Sequence, residues 1–434
     1  MNRRFRRVPG MALLRKAMAL LGRLNLKAAG PAPTSHHTVV TWEAGHVRTA
    51  VLRLSGGTGE ILGLAAAPVQ ASGYGSHPDP DRWYRACDVA LAQAEDMTSR
   101  PAGRKIVPDY VTMTIPSGVT RSLSIVDETR RRHSRRPISL DEMQTLLRRG
   151  YRKAQDRLDV RSRGSREDII AGTLALITVD GQQVSDPVGM TGDLVQLNIC
   201  FSLAPAEWIR SLQLIAQRLG LDLGGIVPHH VVLASPLADA ASLLVVVDSS
   251  ITTVDQVRRG RVEWVASIPH GAESLLAGTL EGLDVPDNQT EALMRAFRSG
   301  QLREDVDQRL SANYWRALRQ WMGRLADQVS AVAPSSHLPF RVYSHDATGL
   351  VPEITPALAT PFWEQRLGCA RCPKVDALDP NGVSAVLDST GQANGPAFLL
   401  LRSMVHYVAR LYAPAYVLDR LLCDIVRARP AARG

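Results

Sequence analysis

VVVDSSITTVDQV, residues 245–257, decides how the rest of the chain is read. A run of β-branched residues meets Asp248, a Ser/Thr cluster and then Asp255, the rhythm of a strand, turn and strand that grip a phosphate. Such a turn exposes backbone N–H groups and is ordinarily rich in glycine, because a Cβ obstructs both the turn and the approaching anion. Here Ser250, Ile251 and Thr252 fill it. Ile251, being β-branched, resists a positive φ. On these residues alone a hairpin with no ligand is the favoured reading. As a nucleotide site, Asp248 and Asp255 would hold the waters of a Mg²⁺, while Ser249, Ser250, Thr252 and Thr253 would offer hydroxyls.

Outward from the hairpin the chain alternates strands and helices. SIPHGAESLLAGTLEG (267–282) follows it along the chain, and HHVVLASPLAD (229–239) leads in from the other side. DIIAGTLALITVDGQQV (168–184) is a strand with a turn. DPVGMTGDLVQLNICFSLAP (186–205) is a Pro/Gly turn and a strand, followed by a helix from Glu207 to Leu219. SLDEMQTLLRRGYRKAQDRL (139–158) is a helix with Ser139 as N-cap and Glu142 at N3. PDRWYRACDVALAQAEDM (80–97) is an amphipathic helix, and PDYVTMTIP (108–116) a strand. TVVTWEAGHVRTAVLRL (38–54) opens a meandering sheet as a hairpin, with a third strand after it. Residues 286–333 run helical, with Trp315, Leu318, Trp321, Met322 and Leu325 as a core stripe. FRVYSHDATGL (340–350) is a strand feeding a turn, and Ala397 to Leu411 a buried helix. The pattern predicts an α/β protein with two sheet-centred halves.

With 434 residues, 21% charged and 45% hydrophobic, the chain can bury more than one core. Its 5% aromatic content argues against a carbohydrate-binding or base-stacking surface. The net charge of +9 favours an anionic partner, and much of it lies in the first 27 residues, where Arg3, Arg4, Arg6, Arg7, Arg15, Lys16, Arg23 and Lys27 face no acidic residue. RRRHSRRP (130–137) reads as a solvated loop. Nucleic-acid binding has charge behind it but no motif and is not expected. Five cysteines without a spacing framework suit a reducing compartment; Cys369 and Cys372 form a lone CxxC, too few ligands for a zinc site. No apolar run reaches the ~18 residues of a membrane span.

Both ends are amphipathic. Within 11–30, Leu13, Leu14, Ala17, Met18, Leu20, Leu21 and Leu24 share one arc, and Lys16, Arg23 and Lys27 the other. That pattern suits a helix lying in a membrane interface, with a transit peptide, a packed helix or a start at Met11 as alternatives. Near the C-terminus Val417, Leu418, Leu421, Leu422, Ile425 and Val426 make a second apolar face ending in Arg427 and Arg429. A membrane contact and a docked core helix are equally good accounts of it.

The order of these motifs resembles FtsA, the bacterial cell-division relative of actin, over roughly residues 38–405. LITVDGQQVSDPVGMTG (176–192) is similar to that family's strand, turn and (N/D)PxGxxG signature. PISLDEMQTLLRRG (137–150) resembles the helix before it, and QLIAQRLGLDLGGIVPHHVVLASPLAD (213–239) the segment after it. The opening hairpin then aligns with the family's second phosphate loop, VxDxGGGTTD, keeping Asp248, Thr253 and Asp255 and replacing three glycines. VVTWEAGHVRTAVL (39–52) matches the first phosphate hairpin, with Gly45 retained and Thr41 in the aspartate position. VYSHDATGLVPEI (342–354) falls at the adenosine loop, with His345, Asp346 and Ala347 in place of a glycine run.

The resemblance implies a two-lobed actin-like ATPase fold with an FtsA-type inserted subdomain. It divides the chain into a basic segment (1–30), lobe I (36–103), the insert (104–205), lobe II (206–361) with a reduced helical part at about 284–338, a return to lobe I (362–405) and an amphipathic tail (406–434). Gly45, Asp248, Ser250, Thr252, Thr253, Asp255, Gly271 and Asp346 become the candidate ATP site, with Asp248 and Asp255 for Mg²⁺. Three loops worn in the same way imply weak or absent hydrolysis. The expected role is a cytoplasmic scaffold on the inner face of the plasma membrane, meeting cell-division proteins, an anionic membrane surface and other copies of itself. Residues 283–338 hold only helices, too few for the sheet that takes the FtsZ tail in the family, so that partner does not carry over. A polymerising Mg-ATPase and a PilM-like pilus or secretion adaptor are the alternatives; PVGMTG counts against the latter.

Overall fold

Residues 245–257 form a hairpin in the computed structural model, which describes residues 35–428 apart from 44, 70–78, 162–165, 334–337, 340 and 368–373. The basic N-terminal segment, with Leu13, Leu14, Lys16, Met18, Leu21 and Arg23, lies outside the described residues, as do Cys369 and Cys372.

Two sheets share one topology. In lobe I, β1 (Ser35–Glu43), β2 (His46–Ser55) and β3 (Thr58–Pro68) meander antiparallel, and β4 (Tyr110–Ile115) continues the sheet parallel to β1. The inserted subdomain contributes β5 (Arg121–Arg130), β6 (Glu167–Val179), β7 (Gln182–Gln183) and β8 (Leu194–Pro205), in the order β5-β8-β6-β7. β9 (Asp222–Pro228) then returns to lobe I parallel to β4. In lobe II, β10 (Ser242–Val247), β11 (Thr252–Arg258) and β12 (Arg261–Ile268) meander, and β13 (Arg341–Asp346) and β14 (Lys374–Ala377) follow parallel. The lobe II order is β12-β11-β10-β13-β14; lobe I has β3-β2-β1-β4-β9, with β15 (Val386–Asp388) added beyond β3. Parallel neighbours need crossovers. The helix Pro80–Met97 lies between β3 and β4, and the helices Ala272–Thr279, Asp287–Arg298 and Glu304–Val332 lie between β12 and β13.

This topology moves two expected boundaries. β4 and β9 both belong to the lobe I sheet, so the inserted sheet begins at Arg121 rather than 104, and lobe II begins with β10 rather than at 206. The helix Ala206–Arg218 packs Trp208, Leu212 and Ile215 into the lobe I core. Sequence order hides this, because a parallel strand's partner lies far away along the chain.

In the inserted subdomain the helix Leu140–Arg161 covers one face of the sheet, burying Met143 and Leu147 against Ile125, Leu197 and Ile199. Ser139 Oγ accepts the Glu142 N–H at 3.2 Å, as the cap expects. The Glu142 carboxylate instead takes both Nε and Nη2 of buried Arg131, at 2.7 and 3.1 Å. The loop 130–137 is therefore not wholly solvated. The DPVGMTG turn is pinned to the same loop: Gly189 N–H donates to Ile138 O, Ile138 N–H to Met190 O and Gly192 N–H to Ser134 O.

Of the two accounts open for the C-terminal apolar face, membrane contact and docked core helix, the structure shows the docked helix. In the helix Val417–Arg427, Leu418, Leu422 and Val426 are buried among Phe201, Leu203 and Ile169 of the inserted subdomain, with Leu421 and Ile425 half-buried beside them. Asp419 also takes a two-pronged bond from Arg261 of β12, at 2.6 and 3.2 Å, so the helix ties the insert to lobe II. The stripe of the Glu304–Val332 helix is core except for Trp315, which is exposed. Among the described residues that subdomain is wholly helical, and no helix is long and apolar enough to cross a membrane.

Candidate functional site

The three glycine-poor loops all end at one place between the lobes. The β1–β2 turn carries Gly45 at φ +73°, which a Cβ would strain. Beside it Glu43 is buried, and its Oε1 meets His345 Nε2 of β13 at 2.8 Å, a bond from one lobe to the other. Arg48, opposite Thr41 in the hairpin, is buried; its guanidinium donates to Glu43 O at 3.3 Å and lies over the Phe398 ring.

The second loop is closed by its own backbone. Asp248 N–H donates to Ile251 O at 2.9 Å, and Asp248 Oδ1 accepts the Ser249 N–H at 2.8 Å. The first N–H groups of the helix Ala272–Thr279, the groups a phosphate would use, instead serve this loop: Ala272 donates to Asp248 O and Glu273 to Ser249 O, both at 2.9 Å. Ser249 Oγ is also bonded to the Glu273 carboxylate. Gly271 makes this approach fit, since a Cβ there would lie 2.2 Å from Asp248 O and 2.5 Å from Ser249 O. Thr252 turns toward the helical subdomain, donating to His270 O and accepting from Trp321 Nε1. Ser250 is exposed at the tip, and Thr253 is buried with no hydrogen-bond partner for Oγ1.

The loop after β13 is likewise satisfied internally. Asp346 Oδ1 accepts from the Thr348 N–H and hydroxyl, and Oδ2 from the Val351 N–H at 2.7 Å. Asp388, Thr390 and Ala393 repeat these bonds at the end of β15, a D-x-T-G-x-(V/A) echo.

Burial holds the Asp248 carboxyl above its ordinary range, with the Ser249 N–H opposing and the nearby Glu43 charge adding to it. His229, at the start of the short helix His229–Ala234, is pushed down to about 3 by burial, with His345 and His230 contributing. The structure thus brings Asp248, Asp346, Glu43, His345 and His229 into one neighbourhood. Asp255 is not part of it. It lies four ladder steps from the Asp248–Ile251 closure, ~13 Å at the rise of a strand. Its side chain is fully buried, neither oxygen has a partner, and burial pushes its pKa well up. Asp248 and Asp255 therefore do not converge on a common ion. Among the described residues no group of three or more His, Cys, Asp or Glu is placed to hold a metal.

Sequence reasoning missed Glu43, Arg48 and His229. A carboxylate beside the hairpin glycine was the one legible signal, and its partner lies 302 residues away.

No protein-family model matches the chain, and no curated protein does. Solved structures are similar. The PilM-PilN type IV pilus biogenesis complex aligns with a TM-score of 0.58 at 12% identity, over 87% of this chain and 99% of that one. Ethanolamine utilization protein EutJ from Carboxydothermus hydrogenoformans gives 0.42 at 13% identity, over 91% and 99%. The apo pSK41 ParM protein gives 0.37 at 8% identity, over 86% and 97%. The chain has a two-lobed actin-like ATPase fold.

Proposed function

We propose that this chain is an actin-fold adaptor with a self-filled nucleotide cleft, working through protein contacts at the cytoplasmic face of a bacterial membrane. One observation carries the reading: donors and acceptors that a nucleotide would engage are bonded within the protein. Glu43 and His345 link the lobes, the Ala272 and Glu273 N–H groups hold loop carbonyls, and both Asp346 oxygens are taken by their own loop. A phosphate entering there would have to break these bonds, next to carboxylates that repel it.

The similarity to the PilM-PilN complex supports a partner-binding role in an envelope assembly of pilus or secretion type. The DPVGMTG turn favours a second reading, an FtsA-like cell-division scaffold. In both, the basic amphipathic residues 1–30 supply attraction to anionic lipid. ATP turnover by purified protein tests the adaptor reading. It predicts no turnover above background; turnover that Asp248→Ala abolishes, or filaments that form only with nucleotide, would replace it with the polymerising Mg-ATPase.

A further inference from the structure

We propose that the DPVGMTG turn and the arginine loop beside it form a lipid-docking tip on the inserted subdomain, fitted to an anionic phospholipid surface. This rests on the membrane half of the proposed function but not on residues 1–30. Val188 and Met190 stand out from the turn, each 38% exposed. Their backbone is tied down: the Val188 N–H donates to Asp186 Oδ1, the Met190 N–H to Pro187 O, and the turn bonds to Ile138 and Ser134 of the loop. Two apolar side chains held outward on a fixed turn gain from an apolar phase and from nothing in water.

The loop supplies the complementary charge. Arg131 alone turns inward, to Glu142, Gly192 O and Arg136 O. Arg130 pairs with Asp193 at 3.2 Å. Arg132, Arg135 and Arg136 are exposed around the tip together with His133, against the exposed carboxylates Asp186 and Asp141. Guanidinium groups around an apolar point match headgroup phosphates around an acyl boundary. A nucleic acid would satisfy the arginines but leave Val188 and Met190 facing a charged backbone, so lipid is the better fit.

The test is flotation of the full chain with vesicles of phosphatidylcholine alone and of phosphatidylcholine with phosphatidylglycerol. Three variants are compared: R132A/R135A/R136A, V188S/M190S, and L13E/L21E in the N-terminal segment. Each arginine near an anionic surface is worth about fivefold in partitioning, so the triple variant should bind phosphatidylglycerol vesicles roughly 100-fold more weakly. V188S/M190S should lose on the order of tenfold. Both losses should persist in the L13E/L21E background. If L13E/L21E abolishes binding while the tip variants bind like the parent, the tip proposal is overturned and the membrane reading stands. Absence of binding to any vesicle overturns both. A loss of duplex DNA binding in the triple variant, without a loss of lipid binding, overturns the tip in favour of nucleic acid. Arg132, Arg135, Arg136, Val188 and Met190 are exposed, so circular dichroism melts of the two tip variants should match the parent.

Discussion

Replacing Asp255 by Asn should change how stability depends on pH. Asp255 sits in the middle of β11, between Leu244 and Val265 on the flanking strands, with no exposure and no partner for either oxygen. Burial raises its pKa well above the ordinary value, so the folded protein keeps the proton that the unfolded chain releases above about pH 4. The folded state then binds more protons than the unfolded one, and stability falls as pH rises, by about 1.4 kcal/mol per pH unit until the folded pKa is reached. Below about pH 4 the contribution is fully present. Asn has nearly the same shape and no proton to lose. Whatever their offset near pH 4, the variant should gain about 1.4 kcal/mol on the parent with each further unit up to the folded pKa. Urea unfolding at about pH 4, 5 and 6, followed by tryptophan fluorescence, reads this directly. Because the comparison is of slopes, the constant cost of burying an amide cancels. Parallel pH profiles for parent and variant would refute the buried, unpartnered carboxyl.

Two further outcomes follow from the packing. Leu422→Ala should destabilise by about 2–5 kcal/mol in thermal or urea unfolding, because Leu422 is fully buried against the inserted subdomain; a loss within about 0.5 kcal/mol would mean the helix is undocked in solution. Gly271→Ala should cost about 1–3 kcal/mol or more, since its Cβ would sit 2.2 Å from a backbone oxygen that cannot rotate away. Unchanged melting of that variant would show that the loop does not close on the helix.

The local elements were legible because they rest on local chemistry. The strand run of β10, the Gly45 turn, the Ser139 cap and the helix Pro80–Met97 each follow from residues within a few positions. Sheet membership was not, since β4 and β9 are both short, buried strands and nothing in VTMTI says which sheet they join. The C-terminal face illustrates a second limit. Leu418, Leu421, Leu422 and Ile425 make the same stripe whether they meet lipid or Ile169 and Phe201, and only the fold supplies the second surface. At the site, the sequence displayed the loss of glycines but not what took their place. Asp248 and Asp346 do reach the cleft, whereas Thr252 and Asp255 alternate onto faces that point elsewhere, and Glu43 gains its meaning from His345 in the other lobe.

The most direct measurement is thermal unfolding of the full chain against rising Mg-ATP and Mg-ADP, up to millimolar concentration. A ligand at about 100 times its Kd stabilises by about 2.7 kcal/mol, an easily visible rise in midpoint. A self-filled cleft predicts the same midpoint at every concentration. A rise with nucleotide that disappears in the Asp248→Ala variant would contradict it and make 245–257 a working phosphate loop.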